Sequence, residues 1–300
     1  MATDGLWLHR FSVILAAMTL LLVVAGASVT SNEAGLSVPD WPLSFGRLMP
    51  EMEGGVFYEH GHRMIAATVG LLTIVLAVWL QGSDPRRWLR RLGWIALAAV
   101  VVQGVLGGVT VLLRLPKAVS ITHACGAQLF FTLTVALAVF TSPSWKRGPE
   151  PVEDHGSPSL RSVAVLTVMA VLAQIALGAA YRHKAAGLVP HIVAGILVLG
   201  LALLAATFAL QQFPQHRQLR TAATALLGTT VAQIVLGIAA YLARIYTTGS
   251  PEPLPVMVLF TVLHVAGGGL TLAAGGVFAI QVVRHVQRPV PGERRALSVT

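Results

Sequence analysis

The sequence predicts an all-α membrane protein, with eight transmembrane helices arranged as two pseudo-symmetric four-helix bundles. Three observations carry that prediction. Of 300 residues, 55% are hydrophobic and 11% charged, with mean hydropathy +0.74, whereas a soluble domain carries about 25% charged residues. Eight apolar runs approach or exceed the roughly 20 residues that cross a bilayer as a helix. The chain also echoes itself between its two halves.

The first run, 9–30, contains "VAGASV" near Ala25, a small-residue pattern that also suits signal-peptide cleavage. Its repeat partner further along the chain argues that it is retained. The connection at about 31–58 is long and carries Pro39, Trp41, Pro42 and Met52. It is expected to lie on the membrane surface as short helices, with Trp41 in the interfacial zone. The second and third runs, 59–80 and 92–113, flank an arginine cluster at Arg86, Arg87, Arg90 and Arg91. The remaining runs are 118–141, 160–181, 187–211, 219–243 and 256–284.

Lysine and arginine in the connections set the orientation. With the N-terminus in the cytoplasm, 14 of the 21 basic residues fall on the cytoplasmic side, Arg294 and Arg295 among them, and 7 on the other. Both termini are then cytoplasmic.

"GASVTSNEAGL" (26–36) ends the first run and "GAAYRHKAAGL" (178–188) ends the fifth, in register at both ends. "QGVLG" (103–107) in the third run is echoed by "QIVLG" (233–237) in the seventh and by "QIALG" (174–178) in the fifth. The chain thus divides into four-helix halves, 1–145 and 146–300. An even number of helices per half makes the repeats parallel, related by an axis along the membrane normal.

The net charge of +9 arises from short clusters between apolar runs, with no basic domain or aromatic-interleaved stripe, which excludes a nucleic-acid partner. Cys125 is the single cysteine, so no intrachain disulfide exists.

Ten histidines remain to be sorted. His9, His155, His216 and His285 lie in or beside cytoplasmic connections and are expected to be solvated, as is His183 in a short outer loop. His60 faces away from Glu59 and His62 on a helix and is read as surface. His62, His123, His191 and His264 each sit a few residues into an even-numbered span, at similar depth near the outer face. Histidine inside a transmembrane segment marks function by default. Zinc would need further Cys, His or carboxylate ligands. A haem needs one axial imidazole on each face. Small residues follow at i+3 or i+4 (Ala66, Gly126 and Ala127, Ala194 and Gly195, Gly267 and Gly268). They give room for a flat ring or for close helix packing. The pattern fits one bis-histidine haem per half.

The halves differ in one respect. Glu59 lies three residues before His62, whereas Leu188 holds that place before His191. Glu59 either caps the helix start, where the dipole favours negative charge, or serves chemistry confined to the first half. A di-haem cytochrome b that only moves electrons would keep all four histidines without needing Glu59. A transporter is a third reading, opposed by the clustering of the histidines near one face and the lack of broken helices.

Taken together, "AGLSVPDWPLSFG" (34–46), "EHGHR" (59–63), "THACG" (122–126), "PHIVAG" (190–195) and "LHVAGG" (263–268) resemble the haem A synthase family over essentially all eight spans. The resemblance implies oxidation of a ring methyl group of haem O to a formyl group, giving haem A, in a prokaryotic cell membrane. It implies that His62 and His123 flank the substrate haem, that His191 and His264 ligate a haem b cofactor, and that Glu59 is catalytic. Arg63 is then a candidate partner of Glu59 or of a haem propionate. Implied partners are a haem O synthase as supplier, a terminal oxidase as user, and an unidentified electron donor, with a quinol as one candidate. In one respect the chain departs from the family: Val38 and Ser44 stand where many members carry a cysteine pair, which excludes a thiol–disulfide relay within this chain.

Overall fold

A computed structural model describes residues 2–288, with side chains from Gly5 onward. Its helices are α1 (Ala2–Ser31), α2 (Gly54–Ser83), α3 (Arg87–Leu112), α4 (Lys117–Thr141), a short α5 (Pro143–Lys146), α6 (Leu160–Arg182), α7 (Leu188–Gln212), α8 (Arg217–Tyr246) and α9 (Pro255–His285). All but α5 are long and apolar enough to cross a membrane, so eight spans stand in an all-α membrane protein as the sequence predicts. Arg294 and Arg295 lie outside the described residues.

Apolar side chains cover these helices all round, as expected where one face meets lipid and the other a core. Val101, Val102, Ile196, Leu197, Ile238 and Leu242 are more than half exposed on the outer surface. Inward positions are small: Ala202, Ala205, Ala206 and Ala209 of α7 pack with Ala222 and Ala223 of α8. Small residues let helices approach closely where lipid removes the hydrophobic drive between them. Hydroxyls inside the spans return to their own helix. Thr19, Thr73, Thr167 and Thr230 each donate to the carbonyl four residues earlier, at 2.7–2.8 Å, which satisfies them without water.

α1 packs on α2 and α4, and α3 packs on α2 and α4. In the later group α6 packs on α7 and α9, and α8 packs on the same two. The groups meet through α1 and α4 against α9, and α4 against α6.

The first long connection departs from expectation: residues 32–53 contain no helix, only turns and a Ser44–Arg47 bridge. Pro39, Pro42 and Pro50 remove backbone donors there. The Asp40 carboxylate instead accepts the N–H groups of Phe45 (2.7 Å) and Gly46 (2.8 Å). Trp41 is 39% exposed, and its ring lies over Gly108 of α3, which anchors the connection to the bundle.

His216 and His285 are not solvated. Both are buried with their rings 4.5 Å apart, because the segment after α5 folds back over the ends of α8 and α9. A two-residue strand β1 (Val152–Glu153) pairs in parallel with β2 (Val286–Gln287). Glu150 donates its N–H to His285 Nδ1 at 2.8 Å, and its carbonyl lies 3.1 Å from His216 Nε2. His216 Nδ1 accepts the Leu219 N–H and so caps α8. His9 is also partly buried, its Nδ1 3.0 Å from the Ala138 carbonyl of α4. His155 is exposed beside Glu153.

Candidate functional site

Each of the four intramembrane histidines lies against a glycine of the preceding spanning helix. His62 of α2 meets Gly26 of α1, His123 of α4 meets Gly107 of α3, His191 of α7 meets Gly178 of α6, and His264 of α9 meets Gly237 of α8. A methyl group placed on these glycines would lie 3.0, 3.4, 2.8 and 2.9 Å from the respective ring carbon Cε1. Only glycine leaves room for the imidazole at the closest of these seats, since such contacts below 3.0 Å are essentially never made.

The residue four before each glycine completes the seat. His191 Nδ1 is 3.3 Å from the Gln174 carbonyl, while the Gln174 amide donates back to the His191 carbonyl at 2.8 Å. Gln233 donates likewise to the His264 carbonyl at 2.9 Å. The carbonyls of Leu22, Gln103 and Gln233 face the other three rings, although no hydrogen bond of full geometry reaches their buried Nδ1 atoms. The "Q-x-x-x-G" echo therefore has a structural use, with Leu22 taking the glutamine's place in the first copy. The glycines after the histidines serve this clasp: Gly126 abuts Gln103, Gly195 abuts Gln174, and Gly267 and Gly268 abut Gln233.

With Nδ1 turned to the neighbouring helix, Nε2 is the nitrogen left for a ligand. None of the four Nε2 atoms carries a hydrogen bond among the described residues, nor is any of them among the sealed polar atoms. The His191 and His264 ring centroids are 6.1 Å apart at 89°. Two imidazoles each bonded at about 2 Å to one metal would have their centroids roughly 6 Å apart, so this pair fits an iron held between two axial imidazoles. Among the described residues no group of three or more His, Cys, Asp or Glu side chains comes together, which is the minimum for a zinc site.

Glu59 is 4% exposed and both its oxygens are engaged. Oε1 accepts from Arg63 Nη2 at 2.7 Å, and Oε2 accepts the Val38 N–H at 2.8 Å. Arg63 Nη1 also donates to the carbonyls of Asp40 and Leu43, both at 2.8 Å, and to Ser44 Oγ at 3.3 Å. His60 is buried, in contrast to its reading as surface, because Ser44 Oγ lies 2.8 Å from its Nδ1. The ion pair near the N-terminal end of α2 thus holds residues 38–44 down on the helix. Val38 and Ser44 take part in this clasp through a backbone N–H and a hydroxyl. Outside the spans, the two N–H bonds from Gly46 and Phe45 hold the Asp40 carboxyl below its ordinary value.

Residues 51–191 match the family model of the cytochrome oxidase assembly proteins. The match spans Glu59, His62, Arg63, His123 and His191, and His264 lies beyond it. A heme A synthase of Symbiobacterium thermophilum is 35% identical over 182 residues, covering 57% of this chain and 58% of that protein. One from Shewanella oneidensis is 27% identical over 190 residues, covering 57% and 55%. One from Beijerinckia indica is 26% identical over 295 residues, covering 75% and 81%. The chain spans little more than half the length of the first two relatives. Eight apolar spans and these matches lead to one conclusion: the chain is similar to the cytochrome oxidase assembly proteins across its middle and to bacterial heme A synthases.

Proposed function

We propose that this protein is a membrane oxidoreductase that converts haem O to haem A. Its two four-helix halves, 1–145 and 146–300, have different tasks. The first takes the substrate haem between His62 and His123. The second holds haem b between His191 and His264 and passes electrons. The observation that carries this reading is an inequality: among the described residues the histidine-on-glycine seat occurs four times, but a buried carboxylate stands beside only one of the four, at Glu59.

A bound haem supplies the electron-transfer and oxygen chemistry. The net change is on the substrate, where a ring methyl becomes a formyl group by hydroxylation, further oxidation and loss of water. The protein's part is to bind, orient and hold charge. His62 and His123 fix the haem plane from two helices. The clasp of Val38 on Glu59, and of Asp40, Leu43 and Ser44 on Arg63, keeps the outer connection over that half. Glu59, held by the Arg63 guanidinium at 2.7 Å, is a fixed negative charge next to His62, suited to accept a proton or to balance positive charge developing on the substrate. Haem sites near the outer face and both termini in the cytoplasm of a bacterial cell complete the arrangement. A haem O synthase supplies the substrate, a terminal oxidase uses the product, and electrons arrive from a donor such as a quinol. An electron-only di-haem cytochrome is the competing reading, and no structural observation favours it over the synthase.

Glu59→Gln tests the assignment. It keeps an acceptor for the Val38 N–H but removes the charge. The variant is expected to retain low-spin haem in both halves and to lose haem A formation by at least about tenfold, within the ordinary range for a general acid or base. Haem A formation at the wild-type rate would remove Glu59 from the mechanism.

A further inference from the structure

The turn from α6 to α7 belongs by sequence to the second group of helices, yet it is tied to the first. Arg182 Nη2 donates to the Ala27 carbonyl and to Ser31 Oγ of α1, both at 2.7 Å. Lys117 Nζ of α4 donates to the Lys184 carbonyl at 2.8 Å. Ala27 directly follows Gly26, the seat of His62. Gly178, the seat of His191, lies one helical turn before Arg182 on α6. Arg182 thus links the end of α6 that seats His191 to the stretch of α1 that seats His62.

An arginine in the last turn of a helix ordinarily complements the dipole and extends to water. Arg182 instead crosses to α1 and is partly buried. Both of its hydrogen bonds come from Nη2. No carboxylate pairs with it, and Nε and Nη1 have no acceptor among the described residues. Taking a guanidinium out of water without a counter-charge is costly. Its open edge matches a carboxylate in planar, two-pronged fashion. The repeat-equivalent position in α1 is Thr30, which carries no charge.

We infer that Arg182 binds a propionate carboxylate of the haem held by His191 and His264, and so fixes a positive charge between the two haem sites. It is a positioning residue, and the inference rests on the haem assignment above. A fixed cation close to the iron favours the less positive, reduced state, so Arg182 keeps the midpoint potential of this haem high.

The test is a spectroscopic redox titration of the purified full chain in detergent, together with the rate of haem transfer to an excess of apomyoglobin. Wild type is compared with Arg182→Gln, Arg182→Lys and the ligand control His191→Ala. Arg182→Gln is expected to keep the bis-histidine spectrum, shift the midpoint to more negative potential and release haem about tenfold faster, the size of one lost charge-assisted hydrogen bond. Arg182→Lys keeps the charge and is expected to restore most of the midpoint while still releasing haem faster. A lock between helix groups and nothing more would lower thermal stability and leave the midpoint unmoved, and that result overturns the inference. If Arg182→Gln fails to fold, wild-type values of both midpoint and release rate in Arg182→Lys overturn it equally. If His191→Ala has the wild-type haem spectrum, the haem assignment itself falls and this inference with it.

Discussion

At the scale of single residues, the site is built by what is missing from four positions. Gly26, Gly107, Gly178 and Gly237 each leave a notch that an imidazole from the next spanning helix fills. The notches are not equal, which makes the account testable. A methyl on Gly178 or Gly237 would sit 2.8 or 2.9 Å from the histidine ring, whereas on Gly107 it would meet His123 at an ordinary 3.4 Å. Gly178→Ala and Gly237→Ala are therefore expected to displace His191 and His264, cost about 1–3 kcal/mol of stability and weaken low-spin haem b absorbance. Gly107→Ala is expected to leave haem content near wild type. Equal behaviour of all three variants would contradict the seat geometry.

At the scale of elements, helices and connections were legible to different degrees. The spans could be read because a bilayer demands long apolar runs, and all eight appear within a few residues of expectation, the largest differences being the earlier starts of α1, α2 and α3. The connection at 32–53 misled because its order comes from side chains far away in sequence: Arg63, on α2, gathers the carbonyls of Asp40 and Leu43. Local composition does not contain that information. His60, His216 and His285 misled for the same reason, each being buried by a segment that folds back over a helix end. The "Q-x-x-x-G" echo was visible as a repeat, but its use, a glutamine amide on the next helix's histidine carbonyl, needs the helix pairs in space. A pH prediction belongs to the connection at 32–53. Because Asp40 titrates below its ordinary value of 3.8 in the folded chain, its contribution is complete above that value and is lost as pH falls through the lowered one. Asp40→Asn should accordingly weaken amide protection at Phe45 and Gly46 at pH 6, and the difference from wild type should vanish at sufficiently acid pH. A difference independent of pH would show that the carboxylate charge does not hold this turn.

For the whole molecule, two groups of four helices repeat one device twice each and then diverge in charge. The first group carries the buried Glu59–Arg63 pair, and Arg182 comes from the second and reaches across to α1. The proposed division of tasks, substrate oxidation in one half and electron supply in the other, calls for such asymmetry. It was only half legible: Glu59 stood out in the sequence by its spacing from His62, while Arg182 resembled any basic residue at a helix end. The measurement that tests this account most directly is extraction and chromatographic identification of haems from membranes that contain this protein together with a haem O synthase and a competent electron donor. The account predicts haem A when this chain is present and none when it is absent. Haem B and haem O alone, with the bis-histidine spectrum intact, would contradict it and leave a protein that only carries electrons.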